Sequence, residues 1–333
     1  RISLPRSFLP SSSRGVERTL TLCFSLFRRA NPSRMPRVRR PSHANSWYKG
    51  DAAALEAEIS KWKAAVEPLP GLPARAIIGP HAGYSYCGHV MAHAYAHIDP
   101  TKFKRVFLLG PSHHVFSRKC LLSSQAVYDT PLGPMQIDSE VYGQLRATGR
   151  FEDMDLEVDE DEHSLELHTP YIVHTMRGQE FRLVPIMVGA LTGEAEASYG
   201  KLLAPYLDDP TNLFVISSDF CHWGSRFSYT YYDREQGQIW ESIKWLDQQG
   251  MRAIETGDPA AFASYQERYK NTICGRHPIG LFLNMLQHCR TRHRIRFTQY
   301  DQSSRCTAQS HSSVSYAAAV VSVEAGTGAA GED

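Results

Sequence analysis

The chain has 333 residues, of which 42% are hydrophobic and 21% charged, a composition typical of a globular protein with a substantial core. Its net charge of +1 is unevenly distributed: residues 1–40 contain ten arginines and one acidic residue, so residues 41–333 have a net charge of −8. Nucleic-acid binding needs a positive surface, and the acidic body therefore excludes nucleic acid as the expected partner.

The seven cysteines form no CxxC pair and no regular framework. An odd number of cysteines in a chain of this length indicates reduced thiols and an intracellular protein. No apolar run approaches the roughly 20 residues needed to span a bilayer. The cytoplasm is the expected compartment, and access to the nucleus is compatible with it.

The first 40 residues are predicted to be a disordered Arg/Ser-rich extension. The segment does not begin with Met, and its apolar stretch "LTLCFSLF" is short. These features favour translated upstream sequence or a disordered tail over an organellar targeting peptide, with Met35 as the expected start. Residues 41–325 are predicted to form one α/β domain, and residues 326–333 a disordered tail.

From residue 51 onward, helical and strand patterns alternate along the chain. In order, the patterns predict a helix at 51–66 with Asp51 as its cap, a strand at 75–78, a helix at 88–97, strands at 104–110, 181–189 and 212–220, helices at 233–249, 258–269 and 278–289, and a β-rich run at 312–324. Short, continuously apolar strands between helices are typical of a central sheet that is covered on both faces.

Three of the predicted strands end in the same way, at a Gly, Pro or Ser turn that presents His or Asp. The turn "GPHAGY" contains His81, "GPSHH" contains His113 and His114, and "SDFCHWG" contains Asp219 and His222. Ligands of open α/β folds bind beyond the carboxyl ends of the strands. We therefore expect these side chains to share one cleft.

A fourth segment, "DEDEHSLELHTPY", places His163 and Glu166 on one helical face, with His168 offset from it. The segment is compatible with an acid–base or supporting role beside the cleft. It is equally compatible with the solvated acidic start of a helix. It does not contain HExxH, so it gives no support to zincin chemistry.

Cys274, in the stretch "NTICGRHPIG", has two chemical uses. Imidazoles from two loops are good ligands for Fe, Cu or Zn, and a Cys274 thiolate favoured by Arg276 would complete the set. A Cys–His–Asp hydrolase would instead use Cys274 as its nucleophile. The chain has no GxSxG and no P-loop, so Ser hydrolase and P-loop nucleotide chemistry have no support.

Eight motifs in order closely resemble the Memo family, the mediator of ErbB2-driven cell motility: "SHANSWY", "RAIIGPHAGYSYCG", "LLGPSHH", "DEDEHSLELHTPY", "LFVISSDFCHWG", "YYDREQGQI", "NTICGRHPIG" and "SSVSYAA". The resemblance runs from about Ser42 to about Val323. It implies a fold similar to the class III extradiol dioxygenases, a single α/β domain with a central mixed β-sheet flanked by helices on both faces.

The resemblance implies a metal site formed by His81, His113 and Cys274. Asp219, His222 and His163 are then candidate acid–base or cleft-lining residues. The dioxygenases use a carboxylate where this chain has a thiol, which argues against catechol ring cleavage. A thiolate favours copper as Cu(I), or alters the redox potential of iron as Fe(II), and zinc ranks below both.

The resemblance also implies a cytosolic metal-binding protein that links receptor tyrosine kinase signalling to the cytoskeleton and cell motility, with a redox or metal-handling role. Its expected partners are a phosphotyrosine-containing receptor or adaptor peptide and cytoskeletal regulators. The main alternative is an iron- or copper-dependent oxidoreductase acting on a small molecule, so enzyme activity stays open. A Cys-nucleophile hydrolase and a scaffold with a vestigial site are further alternatives.

Overall fold

The short apolar runs of the sequence form the strands of the sheet. The computed structural model describes residues 37–324, which belong to one compact unit. Their strands are β1 (Val38–Arg39), β2 (Ala76–Gly79), β3 (Arg105–Pro111), β4 (Cys120–Ser123), β5 (Val127–Tyr128), β6 (Met135–Gln136), β7 (Glu152–Met154), β8 (Arg182–Val188), β9 (Asn212–Ser217), β10 (His222–Trp223), β11 (His293–Gln302) and β12 (Ser313–Val323).

Helices separate most of these strands along the chain. They are α1 (Ala52–Ala64), α2 (Tyr84–Tyr95), α3 (Ser139–Ala147), α4 (Leu156–Asp161), α5 (His163–Glu166), α6 (Thr169–Thr175), α7 (Gly193–Asp208), α8 (Ile239–Glu255), α9 (Pro259–Tyr269) and α10 (Arg276–Leu286). Asp51 caps α1 as predicted, because its carboxylate accepts a hydrogen bond of 2.8 Å from the Ala54 N–H.

One large mixed sheet organises the molecule. Its strand order is β10–β12–β2–β9–β3–β8–β4–β7, with β11 paired to β12. Strands β2, β9, β3 and β8 are parallel to one another, whereas β12 and β4 join them antiparallel. The predicted central mixed sheet is therefore confirmed. Strands β1, β5 and β6 form a second, three-stranded sheet.

The parallel strands are covered on both faces. Every residue of β2 and β9 is buried, and β3 and β8 are buried after their first residue. Among the covering helices, α2 packs on β2 and β12, and α10 packs on β3, β9 and helix α7. Gly200 permits the close approach of α7 and α10, because a Cβ there would lie 2.6 Å from the Asn284 Cβ.

Two long elements were not predicted from the sequence. Helix α7 contains Pro205 in its interior, a residue that normally ends a helical pattern. Strand β11 is an edge strand that pairs only with β12 among the described residues. Within residues 37–324, no helix has both the length and the apolar character needed to cross a membrane.

The predicted start of the domain at residue 41 is too late. Val38 and Arg39 form β1, which pairs with β5, and Arg39 is only 1% exposed. Arg39 is retained in the interior because it pairs with a buried carboxylate, Glu166. The rest of the predicted extension, residues 1–36, and the predicted tail, residues 326–333, lie outside the described residues.

Candidate functional site

The candidate site lies at the carboxyl ends of three adjacent parallel strands. His81 follows β2, His113 follows β3 and Asp219 follows β9. Because these strands point in the same direction, their ends meet at one edge of the sheet. The structure accordingly brings the His81 and His113 rings together, with 5.3 Å between their centroids.

A third imidazole completes a cluster that can hold a metal ion. His163 begins α5, and its ring stacks on His113 with a centroid distance of 4.4 Å. One ring nitrogen from each of His81, His113 and His163 lies within 4.8 Å of the others. Imidazole nitrogens are good ligands for Zn, Cu, Fe and Ni. The sequence had suggested His163 as an acid–base or cleft-lining residue rather than as a ligand.

Hydrogen bonds determine which nitrogen His81 presents to the cluster. The Ser217 hydroxyl donates to the Ser164 carbonyl at 2.7 Å, so it can only accept from His81 Nδ1, which lies 2.6 Å away. The proton is therefore on Nδ1, and Nε2 carries the free lone pair. Burial and the neighbouring His113 lower the pKa of His81, which keeps this ring neutral.

His113 is oriented by a buried carboxylate. Glu162 accepts hydrogen bonds from His113 Nδ1 at 2.8 Å and from the His113 backbone N–H at 2.7 Å. Burial alone would lower the pKa of His113, but hydrogen bonds to Cys274 and Glu162 outweigh it and raise the pKa to about 10. A carboxylate behind a histidine is the usual support of a metal ligand, because it fixes the ring orientation and raises its basicity.

Cys274 meets the same cluster from the loop between α9 and α10. Its Sγ lies 3.2 Å from His81 Nε2 and accepts a hydrogen bond of 3.3 Å from the Asp219 N–H. Burial raises the pKa of the Cys274 thiol, although its hydrogen bond with His113 opposes this shift. A raised thiol pKa disfavours a preformed nucleophilic thiolate at Cys274.

Asp219 and His222 support the site from the loop that follows β9. Asp219 is 4% exposed, and its Oδ1 accepts a hydrogen bond of 2.8 Å from the His81 N–H. His222 Nδ1 lies 2.9 Å from the Phe220 carbonyl and 3.0 Å from the Thr272 carbonyl, so it joins two loops. Both side chains therefore have visible positioning roles.

Sequence reasoning missed the segment that covers the cluster. Trp47 lies against the His163 ring, with 4.5 Å between centroids, and the His43 ring packs edge-on against Trp47. Glu166 anchors this segment by accepting hydrogen bonds from the His43 N–H and the Tyr48 hydroxyl. Sequence reasoning also missed Glu162, the buried carboxylate that orients His113. It lies in the acidic run "DEDEH", a pattern that is equally typical of a solvated helix start.

The other two predicted histidines have no direct place in the cluster. His168 is buried, with Nδ1 2.9 Å from the Tyr95 hydroxyl and Nε2 3.2 Å from the Gly79 carbonyl. It is therefore a structural residue behind the site. His114 is exposed and is not one of the three clustered histidines.

A cleft of about 580 Å³ lies next to the cluster, and Trp47, which packs on His163, lines it, although none of the three clustered histidines does. Its wall includes the aromatic rings of Trp47 and Phe227 and several serines. It also includes Ala82 and Gly83, the two residues that follow His81. Arg226 lines this cleft. Arg276, which the sequence suggested as the cation that favours the Cys274 thiolate, lies on a separate depression with Lys270 and Gln266.

These features define a mixed α/β protein whose parallel strands present a histidine cluster able to hold a metal ion. The Memo-like protein family model matches residues 39–320. The chain therefore belongs to the Memo family, as the motifs predicted.

The relatives cover nearly the whole described part of the chain. Protein MEMO1 of Danio rerio is 52% identical over 290 residues, which are 86% of this chain and 97% of that protein. Protein MEMO1 of Homo sapiens is 51% identical over the same shares of both chains. The protein memo-1 homolog of Caenorhabditis elegans is 45% identical over 291 residues, 86% of this chain and 83% of that protein.

One solved structure is distantly similar. A crystal structure of an uncharacterized protein from Escherichia coli K12 overlaps 73% of this chain and 98% of its own, with a TM-score of 0.42 and 12% identity. A likeness this slight carries no argument. The implied similarity to the extradiol dioxygenases stays a prediction.

Proposed function

We propose that this protein binds copper as Cu(I) or iron as Fe(II) through His81, His113 and Cys274. In this proposal the protein links receptor tyrosine kinase signalling to the cytoskeleton and cell motility, and it has a redox or metal-handling role. The observation that carries the metal part is the meeting of clustered imidazoles with a cysteine sulfur at the ends of the parallel strands. Membership of the Memo family supports the signalling part.

The donor set of the site fits such an ion. Ser217 and Glu162 form hydrogen bonds with the Nδ1 atoms of His81 and His113, so the Nε2 atom of each ring remains free to bind a metal ion. Metal-ligating histidines usually have such a partner on their other ring nitrogen. A bound copper or iron ion would supply one-electron redox chemistry and favour the thiolate form of Cys274. Cys274 would contribute a soft sulfur ligand, which suits Cu(I).

His163 offers a second choice for the third ligand. Burial and the neighbouring His113 together lower the pKa of His163 to about 3. Its ring is therefore neutral and carries a lone pair. An all-histidine set suits Zn or Fe better than Cu(I), so the identity of the third ligand and that of the metal are linked.

Metal analysis of the purified protein tests the proposal. Protein purified without added metal, then loaded anaerobically with Cu(I) or Fe(II), is expected to hold about one ion per chain. We expect His81→Ala to abolish binding and Cys274→Ala to weaken Cu(I) binding by about 10–100-fold. The matched control is His114→Ala, which changes the exposed neighbour of His113 and should leave binding unchanged.

Two outcomes would contradict the metal proposal. In the first, the wild-type protein takes up none of copper, iron or zinc. In the second, Cys274→Ala binds Cu(I) as tightly as the wild type while His163→Ala does not. The second result would move the third ligand from sulfur to nitrogen and remove the argument for Cu(I).

The cleft beside the histidines favours a second candidate, a metal-dependent oxidoreductase acting on a small molecule. Its volume of about 580 Å³ and its Trp47 and Phe227 walls are suited to a small aromatic compound. Oxygen consumption by the metal-loaded protein with a panel of catechols is the direct measurement. A silent panel from protein with a full metal content would exclude this candidate for catechols.

The cleft also supports the partner part of the proposal. Arg226 places a cation among serine hydroxyls, and a guanidinium with hydroxyl neighbours can bind the phosphate of a phosphotyrosine peptide. A phosphorylated peptide is then expected to bind more tightly than its unphosphorylated twin. Equal affinity of the two peptides would remove this part of the proposal.

A further inference from the structure

Asp247 is a carboxylate in the middle of α8 that the chemistry described so far does not use. Its side chain is fully buried, and its helical neighbours Ile243, Leu246 and Ile254 belong to the hydrophobic core. A carboxylate in such a place is strongly destabilising unless other groups donate hydrogen bonds to it. The partners of Asp247 therefore indicate why it is there.

Three separate segments donate to this carboxylate. Asp247 Oδ1 accepts hydrogen bonds from the Cys221 backbone N–H at 3.2 Å and from Asn271 Nδ2 at 2.9 Å. Asp247 Oδ2 accepts a hydrogen bond of 2.8 Å from the Tyr300 hydroxyl of β11. One oxygen thus joins two loops, and the other joins the sheet.

The two loops that share Oδ1 are the loops of the candidate site. Cys221 lies between Asp219 and His222, and Asn271 lies three residues before Cys274. The loops also bond directly to each other, because the His222 N–H donates to Thr272 Oγ1 at 2.7 Å. Asp247 is therefore a buried point at which the Cys274 loop is attached to the loop that follows β9.

We propose that Asp247 is a positioning residue that holds the Cys274 sulfur close enough to His81 Nε2 for both to bind one metal ion. It does so by fixing the Asn271 side chain and the Cys221 N–H on a single oxygen. This inference rests on the proposed metal site and adds to it a residue on α8 that touches no ligand atom. Removing the carboxylate should release the Cys274 loop while the His81 and His113 turns keep their own hydrogen bonds.

Cu(I) affinity measured by competition with a chromophoric chelator tests the inference. Asp247→Ala removes the acceptor of both loops and should weaken Cu(I) binding about tenfold or more, the usual effect of losing a supporting residue. Asp247→Asn keeps an oxygen for Cys221 and Asn271 and should restore most of the affinity. Tyr300→Phe, the matched control, removes the contact at Oδ2, together with those to Ser315 and Gln302, but leaves Oδ1 and both loops in place, and it should change the affinity little.

Non-additivity separates positioning from general destabilisation. In a Cys274→Ala background, Asp247→Ala should cause no further loss of Cu(I) affinity, because the ligand that it positions is already gone. In metal-free protein, Asp247→Ala should also raise the rate of Cys274 alkylation by iodoacetamide, followed by mass spectrometry. The measurements are made at a pH well above the pKa of Asp247, which burial raises to about 6.

The outcomes distinguish this inference from the proposed function. A wild-type protein that binds no Cu(I) would contradict the proposed function. Wild-type binding with unchanged affinity in Asp247→Ala, or a loss that persists in full without Cys274, would overturn the inference alone. If Asp247→Ala does not fold, Asn271→Ala removes only the Cys274-loop donor. It must show a smaller loss that also disappears in the Cys274→Ala background.

Discussion

Replacing Glu166 by glutamine is expected to lower the free energy of unfolding by about 3–5 kcal/mol. Glu166 Oε2 lies 2.5 Å from Arg39 Nη1, and both side chains are at most 1% exposed. Glu166 also accepts hydrogen bonds from the His43 N–H at 2.9 Å and the Tyr48 hydroxyl at 2.7 Å. The substitution leaves the buried Arg39 cation without its closest counter-charge, which is the costly event.

A neighbouring ion pair supplies the control. Glu160 pairs with Arg40, whose side chain is 75% exposed, and Glu160→Gln should therefore cost less than about 1 kcal/mol. Urea unfolding measures both effects. Hydrogen exchange of residues 42–48 should rise in Glu166→Gln and not in Glu160→Gln. Equal stability losses in the two variants would show that the buried pair has no special role.

The same carboxylate predicts how stability depends on pH. Burial alone would raise the pKa of Glu166, but the hydrogen bond with His43 and the charge of Arg39 outweigh it and lower the pKa to about 2. A lowered pKa means that the stabilisation is complete above the ordinary value of 4.5 and is lost as the pH falls toward 2. The stability of Glu166→Gln should consequently vary less with pH across that interval.

Replacing Gly275 by alanine is expected to displace the Cys274 loop and weaken metal binding about tenfold or more. The backbone of Gly275 has φ −84° and ψ 21°, which an L-residue can adopt. Space is the obstacle, because a Cβ would overlap the Ser218 side chain and lie 2.5 Å from the Ser217 carbonyl oxygen. The new methyl group must push the Cys274 loop away from the strand end.

Gly193→Ala is the matched control, because a Cβ at Gly193 meets no atom within 4 Å. Gly193 is the first residue of α7, where alanine is a better helix former than glycine. We expect this variant to bind Cu(I) as the wild type does and to be at least as stable. Gly275→Ala should lose about 1–3 kcal/mol of stability in urea unfolding. Metal affinity in Gly275→Ala equal to that in Gly193→Ala would mean that the loop can move without disturbing Cys274.

Local patterns were sufficient to predict the sheet and the place of the site. The runs at 104–110 and 212–220 became β3 and β9 because they are continuously apolar and end at Gly, Pro or Ser. The polar residues after those runs had to lie at one edge once the strands proved parallel. The strand-end pattern accordingly predicts His81 and His113 in one cleft, whereas Cys274 joins them as the third ligand through the resemblance to the Memo family.

Local patterns failed where packing overrides them. Helix α7 contains Pro205 yet continues to Asp208, because its face packs closely on α10 around Gly200. Strand β1 lies in a segment whose arginines suggested disorder, and only the buried partner of Arg39 explains its place. Each of these elements depends on a partner far away in the chain.

The α/β class, the family motifs and the strand-end histidines can be read from neighbouring residues alone. Long-range packing is needed to show that His163 joins the cluster, that Glu162 and Ser217 orient its histidines, and that Asp247 joins the two loops. Burial is the physical reason. A carboxylate in the sequence is the same letter whether it faces water or donors in the core, and only packing distinguishes the two.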